Sequence, residues 1–527
     1  MTFRALIAVL TVAWDAVGLE DTFASLRAQS DTRWQWCVVI SGDAPAETNE
    51  AVQALIADEP RALAVPAAAQ DPAGLAIQAL ELARAETVAW LDPGDRLDST
   101  AFGSVRQKLT EAPWVYSDEA QLDADGEVID IWFKPDYAPE LLHSQPYALR
   151  LAALPLRMVR DVGGIRPEAK TAAWYDLVLR VAARSAPPAH LAGPFYLHGK
   201  RGEGAPYVFE HPLDRCRVVA RSLEAAGEEV EVSPIDVQGR PVGQRVRRVL
   251  TRHPRISLVV PTAGTTSLVH GLPRCHIVEF VRSVWVQQRY PNLELVVVHD
   301  VDTPAAALEE IRRITDGAVA LVPFRGQFHF SRKCNAGSLV ATGEYLCFIN
   351  DDIEVISVDW LEELASLLAD PEVGAVGPRL LFADGTLQHA GHQYDHGFAA
   401  HTLFRHAPTD MDLGGTALVT GERSGVTGAC LLLRATDFLQ VGGFSEEFPL
   451  SLNDVDLCLK IRALGQRILY TPHASLTHFE SQSRQAAVTE AELLKIRFRW
   501  LPRLQEDPYL NPLLRLPPED SLGAKRH

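Results

Sequence analysis

The second half of the chain alternates between two spacings. Short apolar or β-branched runs, Ile256–Val260, Leu293–Val298, Val319–Val322 and Tyr345–Ile349, are separated by Ile277–Gln288, Ala305–Ile314, Ser331–Ala341 and Trp360–Leu368, where apolar residues recur at helical period. The short runs suit strands buried on both faces, and the longer segments suit amphipathic helices. Ser331 stands where a helix cap belongs. This β-α-β-α order predicts an α/β fold with mostly parallel sheets flanked by helices. In such sheets ligands gather beyond the carboxyl ends of strands, where strand order reverses. Chemistry is therefore expected just after Val260, Val298 and Ile349.

The first half repeats the order more faintly, with Ala5–Val12, Trp36–Ile40 and Thr87–Leu91 as strands. Leu26–Val39 (LRAQSDTRWQWCVV) parallels Val284–Val297 (VWVQQRYPNLELVV), and Ala89–Asp95 (AWLDPGD) parallels Cys347–Asp352 (CFINDD). Asp161–Ile165 before Tyr175–Val181 parallels Gln440–Phe444 before Asp454–Ile461. The consistent spacing implies tandem related domains, 1–201 and 255–527, the second ending in a helical tail. Residues 202–254, with the acidic run Glu228–Glu231 and Pro/Gly turns, are expected to form a connecting helix and linker.

A net charge of -18 excludes a general electrostatic grip on nucleic acid. The basic residues Arg245, Arg247, Arg248 and Arg252 read as a solvated linker. Seven cysteines without metal-ligand spacing suit a reducing cytosol, so a cytoplasmic protein is expected. Apolar Met1–Trp14 lacks a small-residue cleavage pattern and reads as a buried first strand. No stretch approaches the roughly 20 apolar residues of a spanning helix, so the protein is expected to be soluble.

Asn350-Asp351-Asp352-Ile353-Glu354 follows an apolar strand directly. Adjacent acids repel, and Mg2+ or Mn2+ would neutralise them through one or two carboxylates and the oxygens of a substrate diphosphate. The same acids would equally suit the first turn of a helix. In Asn453-Asp454-Val455-Asp456, helical spacing projects Asp454 from a first turn toward a cleft. A carboxylate there can accept a proton from an attacking hydroxyl, or the pair can simply cap the helix. In His473–Arg484, His478 could complete a metal shell and Arg484 could grip phosphate oxygens. His389 and His392 could pair on a metal, but nearby sequence offers them no third ligand, which favours a loop or acceptor contact.

In one ordered series these segments resemble the family 2 glycosyltransferases, which have the GT-A fold. The resemblance runs through Ile256–Thr262, Tyr290–Val298, Ala341–Tyr345, Phe348–Glu354, Glu372–Gly377, Gly385–Gly391, Val426–Cys430, Asn453–Leu459, His478–Ser481 and Asp507–Pro512. It implies inverting transfer of a sugar from a nucleoside-diphosphate sugar, UDP- or dTDP-linked, to a glycan or lipid-linked glycan hydroxyl in surface polysaccharide or O-antigen assembly. Peripheral association with the inner membrane face would fit such an acceptor. Pro261, Thr262 and Asp300 would line the nucleotide. Asn350 and Asp352 would be the outer positions of the family's DxD motif around Asp351, with Mn2+ or Mg2+ held by Asp352, Asn350 and His478. Asp454 would be the catalytic base. Asn350 and Asn453 depart from the pattern, each an amide where relatives carry an acid.

The first half has lost these positions: Gly94 falls where Asp352 lies, and Trp174 falls where the base lies. A degenerate copy is expected, its Trp114, Trp132 and Trp174 packing in the core rather than stacking on sugars. A non-catalytic carbohydrate-binding or scaffold protein would show erosion of both halves, whereas Asp352, Asp454 and His478 persist in one. A nucleotidyltransferase would need a Gly-rich phosphate loop with a lysine, and Ala263-Gly264-Thr265-Thr266 matches that poorly.

Overall fold

The computed structural model describes residues 5–199, 211–269, 272–287, 289–410, 412–479 and 488–514. The chain divides into two compact units, Met1–Val246 and Arg247–His527.

In the first unit the strands are β1 (Ala5–Ala13), β2 (Trp34–Ile40), β3 (Ala62–Pro66), β4 (Ala85–Trp90), β5 (Arg96–Leu97), β6 (Val115–Leu122), β7 (Val128–Trp132), β8 (Leu154–Pro155) and β9 (Ala189–His198). One sheet has the order β3-β2-β1-β4-β8, a second the order β5-β9-β6-β7. The first four strands of the larger sheet are parallel, and β8 runs against β4. A single antiparallel bridge, Val115 to Ala153, joins the two sheets. The segment expected to be a linker holds the helix Pro212–Ala225 and the hairpin β10 (Val230–Val237) and β11 (Arg240–Arg248). The helix packs on Ala173–Ala182 as part of the first unit's body, because one face of it, Cys216, Val218, Val219 and Leu223, is apolar and buried. The boundary falls after Val246.

The second unit contains β12 (Ile256–Thr262), the hairpin β13 (Thr266–Val269) and β14 (Leu272–Cys275), β15 (Leu293–Asp300), β16 (Ala320–Phe324), β17 (Tyr345–Ile349), β18 (Ile353–Val355) and β19 (Val373–Leu381). After them come β20 (Leu387–His389), β21 (His392–Asp395), β22 (Phe398–His401), β23 (Gly421–Arg423), β24 (Cys430–Arg434) and β25 (Arg467–His478). The main sheet has the order β16-β15-β12-β17-β24-β19-β25-β18. Its first half is parallel, as the alternating pattern predicts, and β24 enters antiparallel beside β17.

Strand alternation sorts side chains between two apolar layers. Leu258 and Val260 of β12 pack with helices His276–Gln287 and Trp360–Leu368 on one face. Val259, with Val296 and Val298 of β15, packs on the other against Cys334, Leu457 and Ile461. The expected cap is corrected: His329, not Ser331, caps the helix Phe330–Val340, accepting from the Arg332 amide. Ser331 is buried and its hydroxyl donates to the Phe448 carbonyl at 2.5 Å, so tertiary contact took the side chain that local sequence assigned to the cap.

Candidate functional site

The parallel half of the second sheet brings three strand ends together. Thr262 ends β12, Asp300 ends β15, and Asn350-Asp351-Asp352 follows β17. The Thr262 hydroxyl donates to Asp351 Oδ2 at 2.5 Å and accepts from the Gly264 amide at 2.9 Å. Lys333, fully buried, donates from Nζ to the Thr262 carbonyl at 2.6 Å and pairs with Asp300 Oδ1 at 2.7 Å. Its ammonium also lies 4.4 Å from the Phe328 ring centroid. Thr262, Asp300 and Asp351 thus belong to one network around a buried cation, with Pro261 next to Thr262 on the same strand.

Lys333 was not legible as a site residue, since a lone lysine in a helical pattern reads as solvated. The signal was Gly337, one turn later on the same face. A Cβ there would come within 2.4 Å of Val259 and 2.9 Å of Val298, so only glycine lets the helix lie this close to β12 and β15.

Asp352 is buried, and its Oδ1 lies 3.0 Å from His478 Nε2. The ladder between β18 and β25 sets this contact, because Ile353 pairs with His478. Asn350 Nδ2 is 3.2 Å from the same Nε2, and His478 Nδ1 faces Gln388 Oε1 at 2.5 Å. Burial pushes the Asp352 carboxyl up, but the charge of His478 outweighs it and holds the group below the usual carboxylate range. A carboxylate oxygen and an imidazole nitrogen at this spacing fit two corners of one cation's shell. With Asn350 as a neutral third donor, the mixed oxygen and nitrogen set suits Mn2+ better than Mg2+, which prefers oxygen alone.

Asp454 lies in the first turn of the helix Asn453–Ala463, whose N-cap is Leu452 at φ 60°. Its Oδ2 accepts from the Gly428 amide at 2.8 Å and its Oδ1 from the Val455 amide at 2.8 Å. Asp454 lines a cleft of about 220 Å³ with Asn350, Gln388, His389, Thr427 and His478. Asp351 and Asp352 line another of about 220 Å³ with Arg274, His276 and Arg282. The two acids therefore face adjoining clefts, and His478 joins them, touching Asp352 and lining the Asp454 side. Arg484 lies outside the described residues; Arg274 and Arg282, which sequence reading passed over, line the cleft of the paired acids with their guanidinium groups paired to Glu279 and, for Arg282, also to Glu310.

His389 and His392 do have a third histidine near them. In the β21–β22 hairpin His392 pairs with His401, and the three rings bring ligand atoms within 4.8 Å of one another. The sequence separation hid this contact. Burial pushes both His389 and His392 well below the usual imidazole value, His392 to about 3. The Thr427 amide donates to His389 Nε2 at 3.1 Å, which leaves the His389 proton on Nδ1, 3.0 Å from His401 Nδ1. His389 and His401 are thus already linked by a hydrogen bond, while neither ring nitrogen of the buried His392 has a hydrogen-bond partner among the described residues, and a cation would have to displace the His389 proton.

Residues 253–502 match the family described as Glycosyltransferase like family 2. This part of the chain belongs to that family. The O-antigen biosynthesis protein RfbC of Myxococcus xanthus is 31% identical over 99% of this chain and 41% of its own length. An N-acetylglucosaminyl-diphospho-decaprenol L-rhamnosyltransferase of Mycobacterium tuberculosis is 30% identical over 24% of this chain and 43% of its own. The chain spans about half or less of the length of these curated relatives. The solved mannosyltransferase PcManGT of Pyrobaculum calidifontis, in complex with GDP-Man and Mn2+, aligns with a TM-score of 0.35 at 19% identity, over 56% of this chain and 73% of that one. A likeness this remote transfers no residue assignment. The glycosyltransferase unit has the α/β fold expected of it.

In the first unit the strand ends are occupied. Arg150 Nη1 pairs with Asp92 Oδ2 at 2.8 Å just beyond β4. Tyr196 donates to Asp95 Oδ2 at 2.6 Å, and His198 Nδ1 lies 3.4 Å from the same oxygen. Lys134, fully buried, pairs with Glu119 at 2.7 Å. Trp114 and Trp174 are fully buried, so neither offers a stacking face.

Proposed function

We propose that the glycosyltransferase unit transfers a sugar, with inversion, from a UDP- or dTDP-linked donor to a hydroxyl of a glycan or lipid-linked glycan during surface polysaccharide or O-antigen assembly. The observation carrying this reading is the Asp352–His478 contact at a parallel strand end, sharing a wall with the Asp454 cleft. The similarity to an O-antigen biosynthesis protein and a rhamnosyltransferase supports the pathway class and a polyprenyl-linked acceptor.

Pro261, Thr262, Asp300 and Asp351 hold the nucleotide end, with Lys333 bracing Asp300 and the Thr262 carbonyl and the Thr262 hydroxyl holding Asp351 when donor binds. Asp352, His478 and Asn350 hold Mn2+ or Mg2+, which when bound offsets charge on the departing diphosphate. Phosphate contact is the role expected of Arg484; Arg274 and Arg282 line the same cleft, each paired with a glutamate. Asp454, held by two backbone amides, accepts the proton of the acceptor hydroxyl as it attacks the anomeric carbon opposite the leaving group. Positioning both substrates in adjoining clefts supplies roughly 7–11 kcal/mol in favourable cases. Cytoplasmic placement agrees with seven unbridged cysteines and with the absence, among the described residues, of a helix able to cross a membrane.

For the first unit the reading is a retired copy that serves as scaffold or binds glycan without chemistry. This is where the non-catalytic alternative has support, because Arg150 neutralises the acid at the equivalent strand end. Screening nucleotide sugars for Mn2+-dependent hydrolysis and transfer tests the whole reading. Loss of transfer in Trp174→Ala but not in Asp454→Asn would assign the chemistry to the wrong unit.

A further inference from the structure

The C-terminal helix Glu490–Gln505 starts at a capping box made by Thr489 and Glu492. Its buried residues Ile496 and Leu504 join an apolar cluster with Tyr394, Val455 and Leu459. The opposite face is also apolar, which a helix at the edge of a water-soluble unit does not need. Leu494, Phe498 and Leu501 recur at i, i+4 and i+7, and they are 61%, 96% and 39% exposed. A phenylalanine left almost wholly in water is unusual by itself, and here it is the middle of a stripe.

Charge along this helix is the second, independent observation. The chain carries a net charge of -18, yet from Leu493 to Gln505 there are four basic residues, Lys495, Arg497, Arg499 and Arg503, and no acid. Lys495 stands on one edge of the apolar stripe and Arg503 is exposed further round the helix, while Arg499 is ion-paired with Asp456 and Glu447. A stripe with a basic edge is the surface of a helix lying in the plane of an anionic lipid interface. A second copy of the chain would bring the same basic residues into the contact, where the acids of this helix, Glu490 and Glu492, are confined to its first turn.

We propose that this helix docks the glycosyltransferase unit onto an anionic membrane surface, Phe498 entering the interface and Lys495 and Arg503 meeting lipid headgroups. The helix is tied to both walls of the Asp454 cleft. Arg499 Nη1 and Trp500 Nε1 donate to Asp456 Oδ1 at 2.7 and 2.9 Å, two residues from Asp454. Arg497 donates to the Gly397 carbonyl at 3.1 Å, in the hairpin that carries His392 and His401. Docking therefore sets the acceptor side of the cleft at a fixed height over the bilayer. This gives the proposed transfer a membrane-borne acceptor, but the docking itself rests on the helix surface and not on that reaction.

The test is co-sedimentation of the full chain with phosphatidylcholine vesicles, with and without one-third phosphatidylglycerol. The expected result is binding to the anionic vesicles that weakens with added salt, and falls at least about ten-fold in Phe498→Glu and measurably in Lys495→Gln/Arg503→Gln. Equal binding by wild type and Phe498→Glu, or no binding by wild type, overturns the proposal. So does a Phe498→Glu chain that changes from oligomer to monomer in sedimentation velocity without losing vesicle binding. Nucleotide-sugar hydrolysis in solution, measured on the same variant, stays at the wild-type rate because Phe498 lines neither cleft. That assay reports on the transfer reading separately.

Discussion

β4 and β17 hold the same place in their sheets, and the acids that follow them are neutralised in different ways. In the first unit Leu10 of β1 pairs with Trp90, and in the second Val259 of β12 pairs with Phe348. Two residues earlier, Val88 pairs with Leu154 and Leu346 pairs with Leu433. Counting four residues back along each antiparallel partner reaches Arg150 in one unit and Ala429 in the other. The first unit thus carries a guanidinium where the glycosyltransferase unit has a methyl group. The neighbouring positions follow suit: Trp174 Nε1 donates to the Leu149 carbonyl at 3.4 Å, whereas Asp454 accepts from the Gly428 amide. A built-in guanidinium pairs with the acid in the first unit, so one framework supports a closed ion network or an open site, depending on a few side chains.

The comparison breaks first at the base. Asp454→Asn removes the proton acceptor and keeps the shape, so transfer should fall by about 10²–10⁴-fold with donor binding retained. Trp174→Ala should leave the rate per folded molecule unchanged and instead destabilise the first unit by about 3–5 kcal/mol, because it empties a fully buried site. Steady-state transfer rates and denaturant unfolding separate the two effects. Equal loss of rate in both would refute the assignment of chemistry to one unit.

Arg150→Met probes the closed network. It leaves Asp92 buried without its partner at 2.8 Å, at a cost of about 3–5 kcal/mol in denaturant unfolding. Adding Asp92→Asn should recover part of the loss, since the uncompensated charge is then gone. If Arg150→Met unfolds no earlier than wild type, the network is not what holds that strand end.

Placing the arginine in the other unit is the converse test. The Asn350 amide donates to the Ala429 carbonyl at 2.9 Å, so Ala429→Arg brings a guanidinium to the edge of the site. Mn2+ affinity, read by calorimetry, should fall at least about ten-fold, or 1.4 kcal/mol. Circular dichroism should show the fold retained. Unchanged Mn2+ binding would mean the cation is held elsewhere than at Asp352 and His478.

Much of the second unit was legible because strands buried on both faces and their helices have distinct periods: β17 ends at Ile349 as expected, while β12 and β15 run two residues past the expected Val260 and Val298, to Thr262 and Asp300. The acid motif was legible because consecutive acids at a strand end are uncommon without a cation. Contacts made across hairpins or between distant elements were not. His401 reaches His392 through a turn, and Lys333 pairs with Asp300 only once Gly337 has let its helix onto the sheet. In the first unit Gly94 was set against Asp352, but Asp95, one residue on, is the acid that meets a histidine, His198. A one-residue difference between two loops is invisible to pattern matching and decisive for which side chain points inward.

The smallest expected effect distinguishes the units by their histidines. Burial opposes the charge on His190 and His198, but contacts with Asp118 and with Asp95 and Glu119 more than offset it, so both end above the usual imidazole value. The stability they contribute is fully present below pH about 6.5 and is lost as pH rises through their raised values. His389 and His392 are buried without such acids, and burial holds both below the usual value, His392 at about 3. For these the unfolded chain takes up protons first, so stability is present above pH about 6.5 and falls as pH drops toward about 3. One pH unit below 6.5 the loss is on the order of 1 kcal/mol per histidine. Hydrogen exchange on the full chain, compared between pH 7.5 and about 5.5 after correction for intrinsic rates, should therefore show peptides of β21 and β22 losing protection while those of β6 and β9 keep it. Parallel loss in both sets would mean that the ion contacts of His190 and His198 do not hold their protons in the folded chain.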